Sequence, residues 1–221
     1  MTAIEFIDLT TDLENVVNKI PEFWGSIQND ISDNKINMFE INSYAHLENK
    51  ISHLGVNDKN YLKKRWFLWK CAQCDEYLFS NNQNVRLNSN PKSKQYDVEF
   101  NDTINLRFDI KSTVIPQMFR ENINEVILNP KIMVDFFYNN QSKGIRNFIQ
   151  NRLFIVHHSL IEQKREIEIR CNWQVKEEIF KRYSNTINTN SNFIKFNTII
   201  ADVIFIIENS DGTFYTKISS L

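Results

Sequence analysis

The chain has 221 residues, 42% of them hydrophobic and 24% charged, and its 26 basic and 27 acidic side chains give a formal net charge of −1. This composition is typical of one globular domain with a substantial core, and it excludes a protein that binds nucleic acid through a large basic surplus. Glycine is scarce, with 4 residues, and neither GxxxxGK[ST] nor GxGxxG occurs, so nucleotide-driven chemistry is not expected.

The sequence also indicates where the protein works. No apolar run approaches the roughly 20 residues that a membrane-spanning helix needs. The N-terminus is acidic and lacks the basic-then-apolar layout of a signal peptide. The 3 cysteines, an odd number, argue against a disulfide framework and favour a reducing compartment. We therefore expect a cytoplasmic protein that does not engage a membrane.

Residues 1–58 predict a mixed, mainly helical opening segment. Apolar residues at helical spacing precede Pro21, which ends a first helix, and a second helical pattern covers residues 43–54. His46 and His53 lie seven residues apart on one face of this second helix. Because no third ligand is nearby, they are interpreted as ordinary histidines rather than as a metal site.

A long helix is expected over residues 59–79, with a broad apolar face suited to packing on a sheet. The basic cluster at residues 63–65 is interpreted first as a solvated helix face and second as a phosphate contact. Cys71 and Cys74 form a CxxC pair, but a single pair within a helical pattern predicts buried packing rather than a zinc site. A short strand is expected at residues 85–87.

Residues 96–113 predict a β-hairpin, because two runs that alternate apolar with polar residues are joined by residues 101–103. A three-residue loop gives these pairs: Phe100 with Ile104, Val98 with Leu106 and Asp97 with Arg107. This register collects the apolar side chains on one face and leaves Asp97, Asp109 and Lys111 together on the other. A slip of one residue would mix the two sets, so the alternation selects this loop length.

Asp97 and Asp109 are then diagonal neighbours about 7–8 Å apart, both within reach of one bound cation. Carboxylate oxygens suit a hard ion such as Mg²⁺. Lys111 can hold a phosphate oxygen or help to deprotonate an attacking water, which completes the parts for metal-assisted phosphodiester hydrolysis. The alternative is a solvated sheet face on which charged residues alternate because water is there, and the spacing alone leaves both interpretations open.

The rest of the chain predicts a crossover and a second set of elements. Asn129-Pro130 predicts the start of a helix that continues to about residue 150. An apolar strand follows at residues 152–157, parallel to the second hairpin strand, and it ends at His157 and His158. One of these histidines is expected to face solvent, and a general-base role for either is the less favoured interpretation. Further elements are expected as follows: a strand at 166–170, a helix at 175–183, a long apolar strand with Asp202 inside it at 198–207, and a last strand at 213–218.

Asp97, an eleven-residue gap and then Asp109-Ile110-Lys111 resemble the PD-(D/E)xK nuclease superfamily, over roughly residues 61–158. Members of the family carry an aspartate at the start of one core strand and an acid-x-lysine on the next, and they use magnesium to cut nucleic acid. Tyr96 stands where the family often has a proline. The resemblance implies Asp97, Asp109 and Lys111 as catalytic residues. It also implies Mg²⁺, with Mn²⁺ as a substitute, at Asp97, Asp109 and Ile110.

Further residues follow from the same resemblance. In the family a helix before the core sheet often supplies a glutamate to the metal site, which implies Glu76, with Glu48 as a spare. The helix after the hairpin is similar in lying over the sheet and facing nucleic acid, which implies Gln141, Lys143 and Arg146 as DNA contacts. Plain surface polarity is the equal alternative for these residues.

We therefore expect an α/β (α+β) protein with a central mixed sheet flanked by helices and a restriction-endonuclease-like core. Residues 1–58 would form an N-terminal helical segment and residues 59–221 a nuclease-like domain. The implied function is a magnesium-dependent deoxyribonuclease with DNA as its partner, and restriction or defence against foreign DNA follows by analogy alone. The alternatives are a non-catalytic nucleic-acid- or protein-binding module on the same fold and an interaction protein with a merely solvated acidic face. The choice of DNA over RNA and a homodimer through the terminal hairpin are left open.

Overall fold

The computed structural model describes residues 1–22, 24, 30–90, 93, 95–140 and 149–221. These residues form two compact units, Met1–Tyr77 and Leu78–Leu221. In this part of the chain there is no helix with the length and apolar character to cross a membrane. The predicted domain boundary between residues 58 and 59 stays a prediction.

The N-terminal unit is helical. Its helices are α1 (Ala3–Val16), α2 (Asp30–Asp33), α3 (Tyr44–Ile51) and α4 (Val56–Ser80), whose last residues belong to the second unit. Thr2 caps α1 in a capping box, because its Oγ1 accepts from the Glu5 backbone at 3.2 Å and its own N–H donates to Glu5 Oε2 at 2.7 Å. Ser43 caps α3 by accepting from the His46 backbone at 3.2 Å.

The core of this unit confirms the two helices predicted over residues 43–54 and 59–79. One face of α3 and one face of α4 are fully buried, and their core residues are Leu47, Ile51, Leu62, Trp66 and Phe67. Cys71 and Cys74 are also fully buried and form no disulfide, so the predicted packing role is confirmed.

The second unit is built on a seven-stranded mixed sheet. Its strands are β1 (Val85–Leu87), β2 (Val98–Phe100), β3 (Arg107–Val114), β4 (Arg152–Ser159), β5 (Ile194–Phe196), β6 (Ile199–Glu208) and β7 (Phe214–Ile218). The order is β1-β2-β3-β4-β6, and both β5 and β7 pair with β6. The central strands β3, β4 and β6 are parallel and the other pairings are antiparallel. The predicted mixed sheet with a parallel crossover is therefore confirmed.

Helices flank this sheet: α5 (Ile123–Leu128), α6 (Lys131–Asn140), α7 (Arg165–Ile169) and α8 (Trp173–Thr186). Apolar residues of α5 and α6 pack on one face of β4 and β6, which is called the α6 face below. The opposite face, the α8 face, is packed by aromatic rings. There Phe180 stacks on Phe79 with centroids 4.1 Å apart, and Tyr183 meets Phe100 edge-on at 5.3 Å.

The hairpin has a different register from the predicted one. Val98 pairs with Phe108 and Glu99 with Arg107, so the predicted pairing of Val98 with Leu106 is wrong by two residues. The cause is local, because Ile104–Leu106 form a 3-10 turn instead of entering the strand. Ile104 is consequently 70% exposed. Because the shift is even, the paired residues keep their predicted faces, whereas the residues of the turn leave the strand.

Several other boundaries also differ from the prediction. Residues 166–170 were predicted as a strand, but helix α7 covers Arg165–Ile169. Helix α5 and strand β5 were not predicted. The helix predicted to reach residue 150 is helical to Asn140, and residues 149–150 are not helical. The residues between them lie outside the described part of the chain.

Candidate functional site

Asp109 and Lys111 lie on the α6 face, because they are alternate residues of β3 and Lys111 pairs with Phe154 of that face. Asp97 directly precedes β2 and interacts electrostatically with both of them. Its backbone N–H donates at 2.9 Å to the carbonyl of Phe108, the residue that pairs with Val98, so Asp97 lies just outside the β2–β3 ladder. The diagonal placement of Asp97 and Asp109 across the hairpin stays a prediction.

The carboxyl group of Asp97 is held by the adjacent strand. The Ile110 backbone N–H donates to Asp97 Oδ2 at 2.7 Å. Burial raises the pKa of Asp97, and the charge of Asp109 and a hydrogen bond between the two carboxyl groups raise this pKa further. Lys111 and the Ile110 N–H act in the opposite direction and lower the pKa of Asp97. The two acids therefore occupy one poorly solvated space and compete for a counter-charge.

Asp109 has different neighbours on its two oxygens and is only 5% exposed. Oδ1 accepts a hydrogen bond from Lys111 Nζ at 2.7 Å, and the Lys111 side chain is about one-third exposed. Oδ2 is buried and receives no hydrogen bond. Its ion-pair partner is Arg152, whose Nε lies 3.4 Å away. The carboxylate is thus placed between an accessible cation and a buried one.

Arg152 is a residue of this site that the sequence reasoning missed. It opens β4, pairs with Asp109 in the parallel ladder and is 1% exposed. Its guanidinium lies 4.9 Å from the ring centroid of Tyr138 on α6, and its Nε and Nη1 make no hydrogen bond. The available signal was an arginine at the first position of an otherwise apolar central strand, where a charged side chain needs a partner.

Asn151 fixes the positions of Asp109 and Arg152. Its backbone carbonyl accepts from the Asp109 N–H at 3.0 Å. Its side-chain amide donates to the Arg107 carbonyl at 3.1 Å and accepts from the Ile200 N–H at 2.9 Å. One side chain therefore joins β3, β4 and β6 at the end of the sheet that carries the acids.

The other predicted site residues belong to the N-terminal unit or lie outside the described residues. Glu76 and Glu48 belong to the N-terminal unit, where Glu48 pairs with Lys63 at 2.6 Å. The predicted nucleic-acid contacts all fall outside the described residues: Gln141, Lys143 and Arg146. The roles of these five residues stay predictions.

The donor set fits a hard cation with few protein ligands. Across the described residues, no three or more His, Cys, Asp or Glu side chains cluster in a way that could hold a metal ion. What this centre offers is two carboxylates and the backbone of Ile110. Because the N–H and C=O of a strand residue point to the same side, the Ile110 carbonyl faces the side from which its N–H reaches Asp97. Mg²⁺ usually takes one or two carboxylates and keeps several waters, so these oxygens suit it.

A second polar group lies at the other end of β4. His157 and His158 are 0% and 5% exposed, so the prediction that one of them faces solvent is wrong. The reason is that β4 is central in the sheet and is covered on both faces. His158 Nδ1 lies 2.9 Å from Glu166 Oε1, and Arg120 donates two hydrogen bonds of 2.7 Å to the same carboxylate. At about 3.3 Å per residue, His158 is about 20 Å along the strand from Arg152, too far to act as a general base there.

The chain matches no protein-family model, no curated protein and no solved structure. The structure itself defines a mixed α/β protein in which two acids, Asp109 buried and Asp97 partly buried, lie beside Lys111. Its membership of the PD-(D/E)xK superfamily stays a prediction that rests on the motif.

Proposed function

We propose that this protein is a magnesium-dependent deoxyribonuclease of the PD-(D/E)xK type. One observation carries the proposal: burial and the charge of Asp109 raise the pKa of the partly buried Asp97, and Lys111 donates to Asp109 Oδ1. Such a pair is costly to the fold, because the charge of Asp109 raises the cost of ionising Asp97 beside it. The alternative interpretation, a solvated acidic face of the sheet, would leave these carboxylates in water.

The arrangement of strands supports the same proposal. Asp97 immediately precedes β2, and the acid-x-lysine of Asp109 and Lys111 lies on the neighbouring strand β3. This is the placement that the resembled family requires of its motif. The nearby parallel strand β4 supplies Arg152, which lies in a position that the short motif does not specify.

Asp97 and Asp109, with the Ile110 carbonyl, would hold the cation. When bound, Mg²⁺ supplies a Lewis acid that stabilises charge on a phosphodiester and lowers the pKa of a water. Asp97 must be ionised to serve as a ligand, so its raised pKa makes metal binding weaker as the pH falls toward that pKa. Arg152 Nε lies 3.4 Å from Asp109 Oδ2 and keeps a positive charge beside that carboxylate.

Lys111 is the residue that can meet the substrate. Its ammonium group is partly exposed and donates to Asp109 Oδ1. This group can donate a hydrogen bond to a non-bridging phosphate oxygen and neutralise the charge that grows as water attacks phosphorus and the P–O bond to the leaving group breaks. DNA is the proposed partner, in a cytoplasmic setting and in restriction or defence by analogy alone.

Cleavage by the purified full-length protein tests the proposal. We expect cutting of DNA with Mg²⁺ or Mn²⁺, and no cutting with EDTA, over linear, circular, single-stranded and branched substrates. Asp109→Asn should lower the rate by at least about 100-fold, because it keeps the size of the side chain and removes the charge that the cation needs.

Asp102→Asn is the matched control. Asp102 lies in the loop of the same hairpin, pairs with Arg86 on an exposed surface and has a positive φ of 51°, which asparagine adopts readily. Its variant should cut as fast as the wild type. If the wild type cuts none of the substrates but binds DNA, the binding-module alternative replaces the nuclease. Equal cutting by Asp109→Asn and the wild type would place the active site elsewhere.

A further inference from the structure

The two oxygens of Asp109 are not equivalent, and this difference bears on how many cations the centre can hold. Oδ1 bonds the partly exposed Lys111. Oδ2 is buried, receives no hydrogen bond and lies 3.4 Å from Arg152 Nε. A ligand that approaches from solvent can therefore use the Oδ1 side of this carboxylate but not the Oδ2 side.

Centres with two metal ions place them about 3.5–4 Å apart, so the two ions must share ligands. A carboxylate that binds one ion through each oxygen is a direct way to share. Asp109 is the acid in the middle of this group, between Asp97 and Arg152. Its second oxygen is already used by a guanidinium that carries the same sign of charge as a metal ion.

We infer that the centre takes one divalent cation per chain and that Arg152 stands in the place of a second one. This inference rests on the proposed function, because it concerns the metal at that same centre. Arg152 supplies a fixed positive charge on Asp109, and it repels a further cation from Oδ2.

The summed charge of the four side chains is compatible with one bound divalent ion. Asp97 and Asp109 contribute −2 when ionised, and Lys111 and Arg152 contribute +2, so the four side chains sum to zero. One divalent cation makes the centre positive, which suits a phosphodiester that carries about −1. A second divalent cation would bring the sum to +4 in a space of low solvent access, where like charges repel strongly.

Arg152 is not free to leave. It is held by its position in the ladder opposite Asp109, by the Tyr138 ring over its guanidinium and by burial to 1% exposure. Lys111, by contrast, has a flexible and partly exposed side chain. If a metal ion binds, Lys111 would therefore give up its contact with Asp109, and Arg152 would keep its contact.

The number of Mn²⁺ ions bound by the full-length protein tests this inference without any measurement of cleavage. Electron paramagnetic resonance of free Mn²⁺ during a titration gives the stoichiometry directly. We expect one ion per chain for the wild type and none for Asp109→Asn. Two ions per chain in the wild type would overturn the inference and leave the proposed nuclease intact. No bound ion would overturn both.

Variants of Arg152 test whether this side chain determines the number of bound Mn²⁺ ions. Arg152→Met removes the charge and should admit a second, weaker equivalent of Mn²⁺, whereas Arg152→Lys keeps the charge and should bind one. Arg86→Met, which removes an exposed arginine from its pair with Asp102, is the control and should bind one ion. Near-ultraviolet circular dichroism checks that each variant is folded. A folded Arg152→Met variant that still binds one ion would show that Arg152 does not exclude the second. If that variant does not fold, the wild-type stoichiometry decides.

Discussion

At the scale of single residues, Asp97 is the side chain of the candidate site that most clearly lowers the stability of the fold. Its pKa is raised by burial first and by Asp109 second, so the folded protein holds the proton more tightly than the unfolded chain does. A raised carboxyl pKa lowers stability as the pH rises, because the unfolded chain releases the proton first. The loss begins near the unfolded pKa of 3.8 and is complete above the folded pKa.

Asp97→Asn should therefore stabilise the metal-free protein at neutral pH. Asparagine keeps an oxygen that can accept from the Ile110 N–H, and it removes the buried charge. We expect the melting temperature to rise by about 2–4 °C, the shift that about 1 kcal/mol produces in a chain of this length. Melts in EDTA from about pH 4 to about pH 8 measure this effect, and the gain over the wild type should grow as the pH rises.

Asp102→Asn again serves as the control, because its carboxylate is exposed and paired with Arg86. Its melting temperature should follow that of the wild type at each pH. A lower melting temperature for Asp97→Asn at neutral pH would mean that the carboxylate of Asp97 stabilises the fold, and the repulsion argument would fail.

At the scale of secondary-structure elements, Asn151 joins three parallel strands at the end where Asp109 and Arg152 lie. The residue is polar and precedes β4, and its amide satisfies backbone groups of the β2–β3 connection and of β6. Such a side chain supplies hydrogen bonds to backbone groups at the strand ends that have no partner in the ladder.

Asn151→Ala should destabilise the protein by about 1–3 kcal/mol, because it leaves backbone donors and acceptors without partners in a partly buried position. Chemical denaturation measures the change as a lower midpoint with an unchanged slope. Asn188→Ala is the control, since the hydrogen bonds of Asn188 stay within an exposed loop. A loss for Asn151→Ala no larger than that of the control would show that the amide is replaceable by water.

Much of the sheet could be predicted at this scale, because it depends on local patterns. The alternation predicted which strand residues share a face, and the even shift of register preserved that result for the residues that pair. The register itself was not predictable, because it depends on a 3-10 turn at Ile104–Leu106. The alternating pattern predicts a strand at these residues.

Apart from the register, the features that the sequence did not reveal have one physical cause, which is contact between residues distant in sequence. Residues 166–170 alternate like a strand, yet they form a helix in which Glu166 is buried against Arg120 and His158. Asp202 stood out in an apolar run, and its partners are Ser219 and Ser220 from the end of the chain. The pairing of Arg152 with Asp109 is of the same kind, because it requires the strand order before it can be seen.

At the scale of the whole molecule, the formal net charge of −1 limits how DNA can be held. Affinity from phosphate neutralisation alone requires many basic contacts, and the chain has no surplus of them. The charge that attracts a phosphodiester must therefore be local. Under the proposed function, a cation held by Asp97 and Asp109 would supply this charge, because it would add two positive charges to the four side chains.

The same cation should stabilise the whole fold. Because only the folded chain brings Asp97 beside Asp109, Mg²⁺ held there under the proposed function would bind the native state and would shift the unfolding equilibrium by mass action. At an ion concentration of about 100 times the Kd, the gain is about 2.7 kcal/mol. In a chain of this length, each kcal/mol raises the melting temperature by about 2–4 °C. We therefore expect a rise that grows with ion concentration, measured by thermal melts in Mg²⁺ or Mn²⁺ against melts in EDTA. NaCl at equal ionic strength separates this effect from screening of surface charges.

Asp102→Asn should keep the rise in melting temperature, whereas Asp97→Asn and Asp109→Asn should lose it, even though Asp97→Asn starts from a higher melting temperature. A rise that persists in Asp109→Asn would place the stabilising ion at another part of the molecule.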